Sequence, residues 1–253
     1  LDYNRAGTPL LEIVTEPDLK TGEEAEQFIQ AFRTMVRYLG VCDGNMEEGT
    51  LPCDANISLR PKGSTHLGTK TELKNMNSIR GVERALAIEV ERQEAILSGG
   101  GTVHQQTLLW DEAGERVMPM RSKEEAHDYR YFPDPDLPPV VLKSEFIASI
   151  RDELPELPDA RKARWMDVYG LPEYDARVLS EERAVSDFSD RLFTLIPDAK
   201  QGANWMMGEV MRLLKERKLD IETWSLIPDT LAQILGLIDS KTVSHSEIGR
   251  ASC

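Results

Sequence analysis

The stretch MEEGTLPCDANISLRPKGSTHLGTKTELK, residues 46–74, decides how this chain is read. From Cys53 onward the apolar residues Cys53, Ala55, Ile57 and Leu59 alternate with polar Asp54, Asn56, Ser58 and Arg60, the period of two that marks a strand with one face toward a core. After a loop carrying Pro61, Gly63 and Gly68, a second run alternates Thr69, Thr71 and Leu73 with Lys70, Glu72 and Lys74. Paired as a hairpin, the two runs lay Asp54, Asn56 and Ser58 beside Lys70, Glu72 and Lys74 on one polar face. Such a face is either the wetted side of an antiparallel sheet or a place where chemistry is done.

Upstream, LLEIVTE at residues 10–16 reads as a short strand in which Glu12 shares a face with Leu10 and Val14. A carboxylate pointing with apolar neighbours is costly unless it is paired or holds a cation; the alternative is an edge strand whose Glu12 reaches solvent. Pro17 ends this strand, and Thr21 with Glu24 makes a capping box. Ala25, Phe28, Ile29, Phe32, Met35, Val36 and Leu39 then recur at three and four over a helix at residues 23–39, which Gly40 stops. Downstream, Asn77 or Ser78 caps a second helix to residue 97, with Val82, Leu86, Val90, Gln93 and Leu97 along its stripe. The glycine-rich turn at residues 98–101 lacks the Lys-Ser or Lys-Thr of a P-loop. Residues 102–110 and 115–121 read as two more strands. The order strand, helix, hairpin, helix, meander predicts an α+β domain, a mixed sheet with flanking helices, over residues 1–142.

Beyond MRSKEEAHDYRYFPDPDLPP (residues 120–139), a charged, aromatic and proline-rich loop holding His127, the strand pattern gives way to helical periods. Ile147, Ile150 and Leu154 open one helix, Asp159 caps another that Gly170 ends, and further periods pass through Val185, Met206 and Asp229, giving an all-α helical domain at residues 143–246. Arg212, Lys215, Arg217 and Lys218 make a basic helix end, read as solvated surface or as a phosphate-backbone contact. Residues 247–253, EIGRASC, follow no period and read like a translated sequencing adapter, so a non-native tail is expected there. The net charge of −14 excludes a general grip on nucleic acid or anionic membrane by bulk charge. No apolar run approaches the ~20 residues of a membrane span. Three cysteines without metal or disulfide spacing suit a reducing, cytoplasmic setting.

LDYNRAGTPLLEIVTEPD at residues 1–18, the MEEG and CDANISLRPKG stretches, GTKTELKNMNS and MRSKEEAHDYRYFPDPDLPP together resemble, in order, the B-subunit family of the tRNA-dependent amidotransferases (GatB). The resemblance runs from residue 1 to about residue 243. It implies a cradle-like α+β catalytic domain followed by a tRNA-facing helical domain. It also implies a glutamine-hydrolysing ligase of the cytoplasm, a heterotrimer completed by the A (glutaminase) and C subunits. In that enzyme ATP phosphorylates the side-chain carboxylate of misacylated Glu-tRNA(Gln) or Asp-tRNA(Asn), and ammonia from the glutaminase displaces the phosphate. Phosphorylating a carboxylate gathers anions, so Mg²⁺ is the expected companion of ATP. Matched to the family's motifs, the metal ligands fall on Glu12 and Asp54. Asp54 is also the expected catalytic centre, with Lys70 and Lys74 as candidates to hold phosphate or the acyl-phosphate oxyanion, or else as structural partners of Glu72.

Pro52 stands where the family usually places Arg, which removes a cation beside the expected metal. The family's amino-terminal ligands and carboxy-terminal tail domain fall outside this sequence, so the chain alone is expected to be inactive. The alternative is a non-catalytic tRNA-binding scaffold subunit. The related archaeal GatE proteins would need an inserted domain for which the motif spacing leaves no room.

Overall fold

A computed structural model of the chain describes residues 7–120 and 135–243. It divides into two compact units, residues 1–31 with 45–127, and residues 32–44 with 128–253.

The first unit is built on a four-stranded sheet among the described residues, in the order β1 (Cys53–Ile57), β2 (Thr71–Met76), β3 (Thr107–Asp111), β4 (Arg116–Pro119). β1 and β2 are antiparallel, β2 and β3 parallel, and β3 and β4 antiparallel. The sheet is therefore mixed and the class α+β, as the sequence predicts. Parallel neighbours cannot be joined by a tight turn, and α2 (Ile79–Ser98) supplies the crossover between β2 and β3. Ser78 is the residue that caps α2, its hydroxyl accepting from the Gly81 amide at 2.9 Å. Val82, Ala85 and Leu86 of α2 pack with Leu73, Met76, Leu108 and Trp110 of the sheet and with Ala25 and Ile29 of α1 (Gly22–Tyr38). At the start of α1 the Thr21 hydroxyl accepts from the Glu24 amide at 3.1 Å, while the Glu24 carboxylate reaches back to the Lys20 amide at 2.6 Å, one residue beyond the expected reciprocal partner.

Two expectations for this unit are corrected. Residues 10–16 form no strand, and Leu10 and Val14 are 86% and 81% exposed. Strand residues need a neighbour for their backbone groups, and among the described residues none pairs with this segment, so its apolar content has nothing to bury against. Residues 102–106 likewise precede β3 without joining it.

In the second unit, α1 ends at a left-handed Gly40, with the Gly40 amide donating to the Arg37 carbonyl and the Val41 amide to the Val36 carbonyl, the bond pattern of a Schellman motif. The helices are α3 (Ser144–Glu153), α4 (Pro158–Tyr169), α5 (Glu173–Ser180), α6 (Arg183–Leu195), α7 (Ala199–Trp205), α8 (Met211–Arg217) and α9 (Pro228–Asp239), with a π turn at Met206–Val210 between α7 and α8. Trp165, Leu179, Leu192, Phe193, Met206 and Leu235 lie at the centre of their core, where the Trp165 and Phe193 rings meet edge to face at 5.4 Å. α5 escapes the sequence reading because it is short and opens from Pro172 without a side-chain cap. Asp159 does not cap α4; the helix starts with Pro158 in its first turn, where a missing amide is harmless. α3 forms as expected yet buries none of its residues, Phe146, Ile147 and Ile150 all being exposed. Residues 121–134, including His127, and residues 247–253 lie outside the described residues. No helix among the described residues is long and apolar enough to cross a membrane.

Candidate functional site

The polar face of β1 and β2 is the feature that the alternation at residues 53–59 and 69–74 anticipates. Cys53, Ala55 and Ile57 turn inward while Asp54 and Asn56 are exposed; Thr71 and Leu73 are buried while Glu72 and Lys74 stay half-exposed. Asn56 pairs directly with Glu72. The register then slips, with Ala55 opposite Leu73 but Cys53 opposite Met76, so that Asp54 faces two residues, Lys74 and Asn75. The extra residue is Asn75, whose φ of 69° lies in the left-handed region that Asn tolerates better than most side chains. Its side-chain amide donates to the Trp110 carbonyl of β3 at 3.1 Å, which fixes the bulge.

At this bulge Lys74 Nζ donates to Asp54 Oδ2 at 2.7 Å and lies 3.2 Å from Glu72 Oε1. Glu72 is held in turn by the Thr107 hydroxyl of β3 at 2.9 Å. The hydrogen bond to Asp54 raises the Lys74 ammonium above its ordinary value, against some burial that lowers it and with help from Glu72. Lys74 therefore remains a cation at neutral pH, and two carboxylates converge on it. Lys70 lies exposed one residue before β2. Glu12 is exposed in the irregular segment and makes no hydrogen bond or ion pair with this cluster among the described residues. The structure thus joins Asp54 to Lys74 and Glu72, and leaves Glu12 and Lys70 outside that contact. Among the described residues, no group of three or more His, Cys, Asp or Glu side chains is arranged to hold a metal ion.

Beneath the polar face lies a buried network absent from the sequence reading. Glu89 of α2 is fully buried and accepts from Thr71 Oγ1 at 2.8 Å, Gln93 Nε2 at 2.9 Å, Arg92 Nε at 2.7 Å and Arg92 Nη2 at 2.8 Å. Burial by itself raises this carboxyl, but the bonds from Arg92, Gln93 and Thr71 outweigh it and hold the group below its ordinary value. Gln93 carries the tie onward, donating to the Ile57 carbonyl at 3.3 Å and accepting from the Leu59 amide at 3.2 Å where β1 runs out. A signal was available: residues 82, 86, 89 and 93 follow the four-three-four spacing of one helix face, which puts Glu89 on the stripe in place of Val90.

Two shallow depressions accompany these features, one of about 490 Å³ lined by Arg37, Gly40, Val41, Cys42 and Asp43, the other of about 280 Å³ lined by Arg84, Ala87, Ile88, Trp110 and Glu115. Neither includes a residue of the Asp54 cluster. In the helical unit, Arg164 bridges Glu156 and Asp190, and Asp190 also accepts from the Trp165 indole at 2.7 Å. Arg212 is engaged by Glu209 at 2.6 Å and by Glu216 at 2.8 Å, so the expected basic end of this helix is partly neutralised.

A family model described as the GatB/GatE catalytic domain matches residues 1–148, and one described as the GatB domain matches residues 187–250. Among curated proteins, the chain is similar to the B subunit of the aspartyl/glutamyl-tRNA(Asn/Gln) amidotransferase of Pelodictyon phaeoclathratiforme, 52% identical over 244 residues, 96% of this chain and 51% of the relative. The protein of that name from Moorella thermoacetica is 52% identical over 244 residues, with the same 96% and 51% shares. That of Caldicellulosiruptor saccharolyticus is 47% identical over 249 residues, 97% of this chain and 52% of the relative. The chain spans about half the length of the curated relatives it matches.

Proposed function

The chain belongs to the GatB/GatE family, and from that premise we propose that it carries part of the site at which a tRNA-dependent amidotransferase amidates its substrate. The substrate is a misacylated Glu-tRNA(Gln) or Asp-tRNA(Asn). Its side-chain carboxylate takes a phosphoryl group from ATP and is then converted to the amide by ammonia delivered from a glutaminase subunit. The A (glutaminase) and C subunits are the partners in this reading, in a cytoplasmic heterotrimer.

The observation that carries the proposal is the contact of Lys74 with Asp54 and Glu72 on an exposed sheet face. Mg²⁺ is the metal this chemistry calls for, and when bound it offsets the charge of the phosphoryl group in transfer. Asp54 would offer it a hard oxygen donor through Oδ1, its Oδ2 being taken by Lys74, and Mg²⁺ asks for only one or two carboxylates beside phosphate and water. Glu12 is the further candidate ligand. An ammonium has three N–H donors; Asp54 and Glu72 occupy two on Lys74, which leaves one for an anionic oxygen of the substrate. Lys70 is the second such donor. The Thr107 hydroxyl keeps Glu72 aimed at Lys74, and the Asn75 bulge keeps Lys74 opposite Asp54. Pro52, just before β1, adds no donor of its own.

The test is ATP-dependent amidation of Glu-tRNA by the full-length protein assembled with its partners. Asp54→Asn keeps the size of the side chain and removes its charge, and it is expected to lower kcat roughly 100-fold, the scale of losing one charge-stabilising group. Near-normal turnover in that variant overturns the reading.

A further inference from the structure

In a chain where 44 acidic residues outnumber 30 Lys and Arg, no acidic residue falls between Asp54 and Glu72, while Arg60, Lys62 and Lys70 do, together with His66. These four are exposed, and among the described residues no ion pair engages Arg60, Lys62 or Lys70. Arg161, Arg164 and Arg212 of the helical unit, by contrast, are each held by carboxylates. The unpaired cations also sit on a preformed loop. Gln93 grips its entry at Ile57 and Leu59. Gly68 lies so close to Leu59 that a Cβ there would overlap the Leu59 carbonyl oxygen, so the neck closes only with glycine at this place. Inside the loop, the Ser64 amide donates to the Pro61 carbonyl at 3.0 Å, Arg60 Nη1 to the Thr65 carbonyl at 3.3 Å, and the His66 amide to the Ser64 hydroxyl at 3.2 Å. Residues 58–70 are thus a closed-neck surface loop held in shape by its own hydrogen bonds.

We propose that this loop binds the phosphodiester backbone of the single-stranded 3′ end of the tRNA that carries the aminoacyl group. The inference rests on the proposed function, because it asks what must lie next to the Asp54 centre. The strand leaving Asp54 enters the loop, and the strand leaving the loop carries Lys74, so the cations stand in the chain directly between the two halves of that centre. An aminoacyl ester at the end of a strand brings its neighbouring phosphates to the same place. Separate, hydrated cations spread along a loop suit the spaced charges of such a strand, whereas a nucleoside triphosphate asks for a nest of amides and a slot for its base. The net charge of −14 repels a polyanion at long range, but a Debye length of about 8 Å at physiological salt confines that repulsion and lets local cations decide contact.

The experiment uses the full-length protein in its complex and the double variant Arg60→Gln/Lys62→Gln, which leaves Lys70, Lys74 and Asp54 in place. Binding of a short RNA hairpin with a single-stranded 3′ tail is followed by fluorescence anisotropy without ATP across a salt series. Amidation kinetics are measured in parallel. The expected result is roughly tenfold weaker RNA binding and a salt slope shallower by about 1.4, that is about 0.7 for each of two phosphates no longer neutralised. KM for the misacylated tRNA rises by a similar factor, with kcat and KM for ATP unchanged. The charge-preserving pair Arg60→Lys/Lys62→Arg retains binding and slope. An unchanged slope overturns the proposal, as does a rise in KM for ATP in place of that for tRNA. An equal loss in the charge-preserving variant also overturns it by placing the effect in loop shape. Each of these outcomes is distinct from failure of the amidation reading, which is decided by turnover of Asp54→Asn.

Discussion

Replacing Glu89 by Gln is expected to destabilise the sheet unit by about 2–3 kcal/mol at pH 7. The carboxylate takes four hydrogen bonds at 2.7–2.9 Å, two of them from Arg92. Gln keeps the volume and one acceptor oxygen but turns an NH₂ group toward donors. Breaking a buried pair costs ~3–5 kcal/mol, and because the Arg92 side chain is 30% exposed, water recovers part of that loss. The pH dependence has a definite sign. Glu89 is held below its ordinary value in the folded chain, so the unfolded chain binds the proton more readily and stability rises with pH. The contribution is complete above the unfolded value of about 4.3 and disappears as pH falls through the lower folded value. The gap between wild type and Glu89→Gln therefore narrows in acid. Amide hydrogen exchange in β1, β2 and α2 is the suitable assay, since it reads this unit alone when the two units need not unfold together. Arg92→Met should cost more than Glu89→Gln, because the charge it leaves without a partner is the fully buried one, and the double variant should cost less than the sum of the two. A Glu89→Gln effect within about 0.5 kcal/mol, or a gap constant down to acid pH, would refute the reasoning.

Two further outcomes follow from the β1–β2 pair. Asn75→Ala places an ordinary side chain at a φ of 69° and removes the bond to the Trp110 carbonyl, so it should cost about 1–2 kcal/mol in thermal unfolding, while Asn75→Gly should cost less; equal losses would contradict the backbone account. Burial pushes the Cys53 thiol up to about 11, with Asp54 adding to the shift, so Cys53 is almost wholly a thiol at neutral pH. Alkylation of Cys53 by iodoacetamide, followed by mass spectrometry, should run about 100-fold or more below the rate of a free thiol, and rapid labelling would contradict its burial.

Much of this unit was legible because its determinants are local. The alternation that begins at residue 53 and again near residue 70, the caps at Thr21 and Ser78, and the stop at Gly40 each depend on a few neighbouring side chains, and each is present, although β1 stops at Ile57 rather than Leu59 and β2 begins at Thr71 rather than Thr69. What was not legible depends on distant partners. Residues 10–16 have the composition of a strand, but a strand exists only where another backbone meets it. The parallel pairing of β2 with β3 is set by the α2 crossover, beyond the reach of alternation within either run. Of the site, the meeting of Asp54 with Lys74 on one polar face and the pairing of Lys74 with Glu72 were legible in the alternation, whereas nothing in either run tells where the segment carrying Glu12 lies relative to them. Glu89 escapes a reading by residue type because a charged residue is rare on a buried stripe, although its spacing places it there.

The slipped register at Asn75 acts as a removable spacer. Leu73 and Met76 both reach the core although they are three positions apart, and deleting one residue between them restores the ordinary two-position interval of a flat ladder. Both anchors would keep their buried side, so the hydrophobic layer tolerates the deletion, while the local twist falls and the angle at which the ammonium meets its carboxylate is reset. Shortening this strand by one is thus a route by which descendants of the chain can retune an ion pair without rebuilding the sheet that carries it.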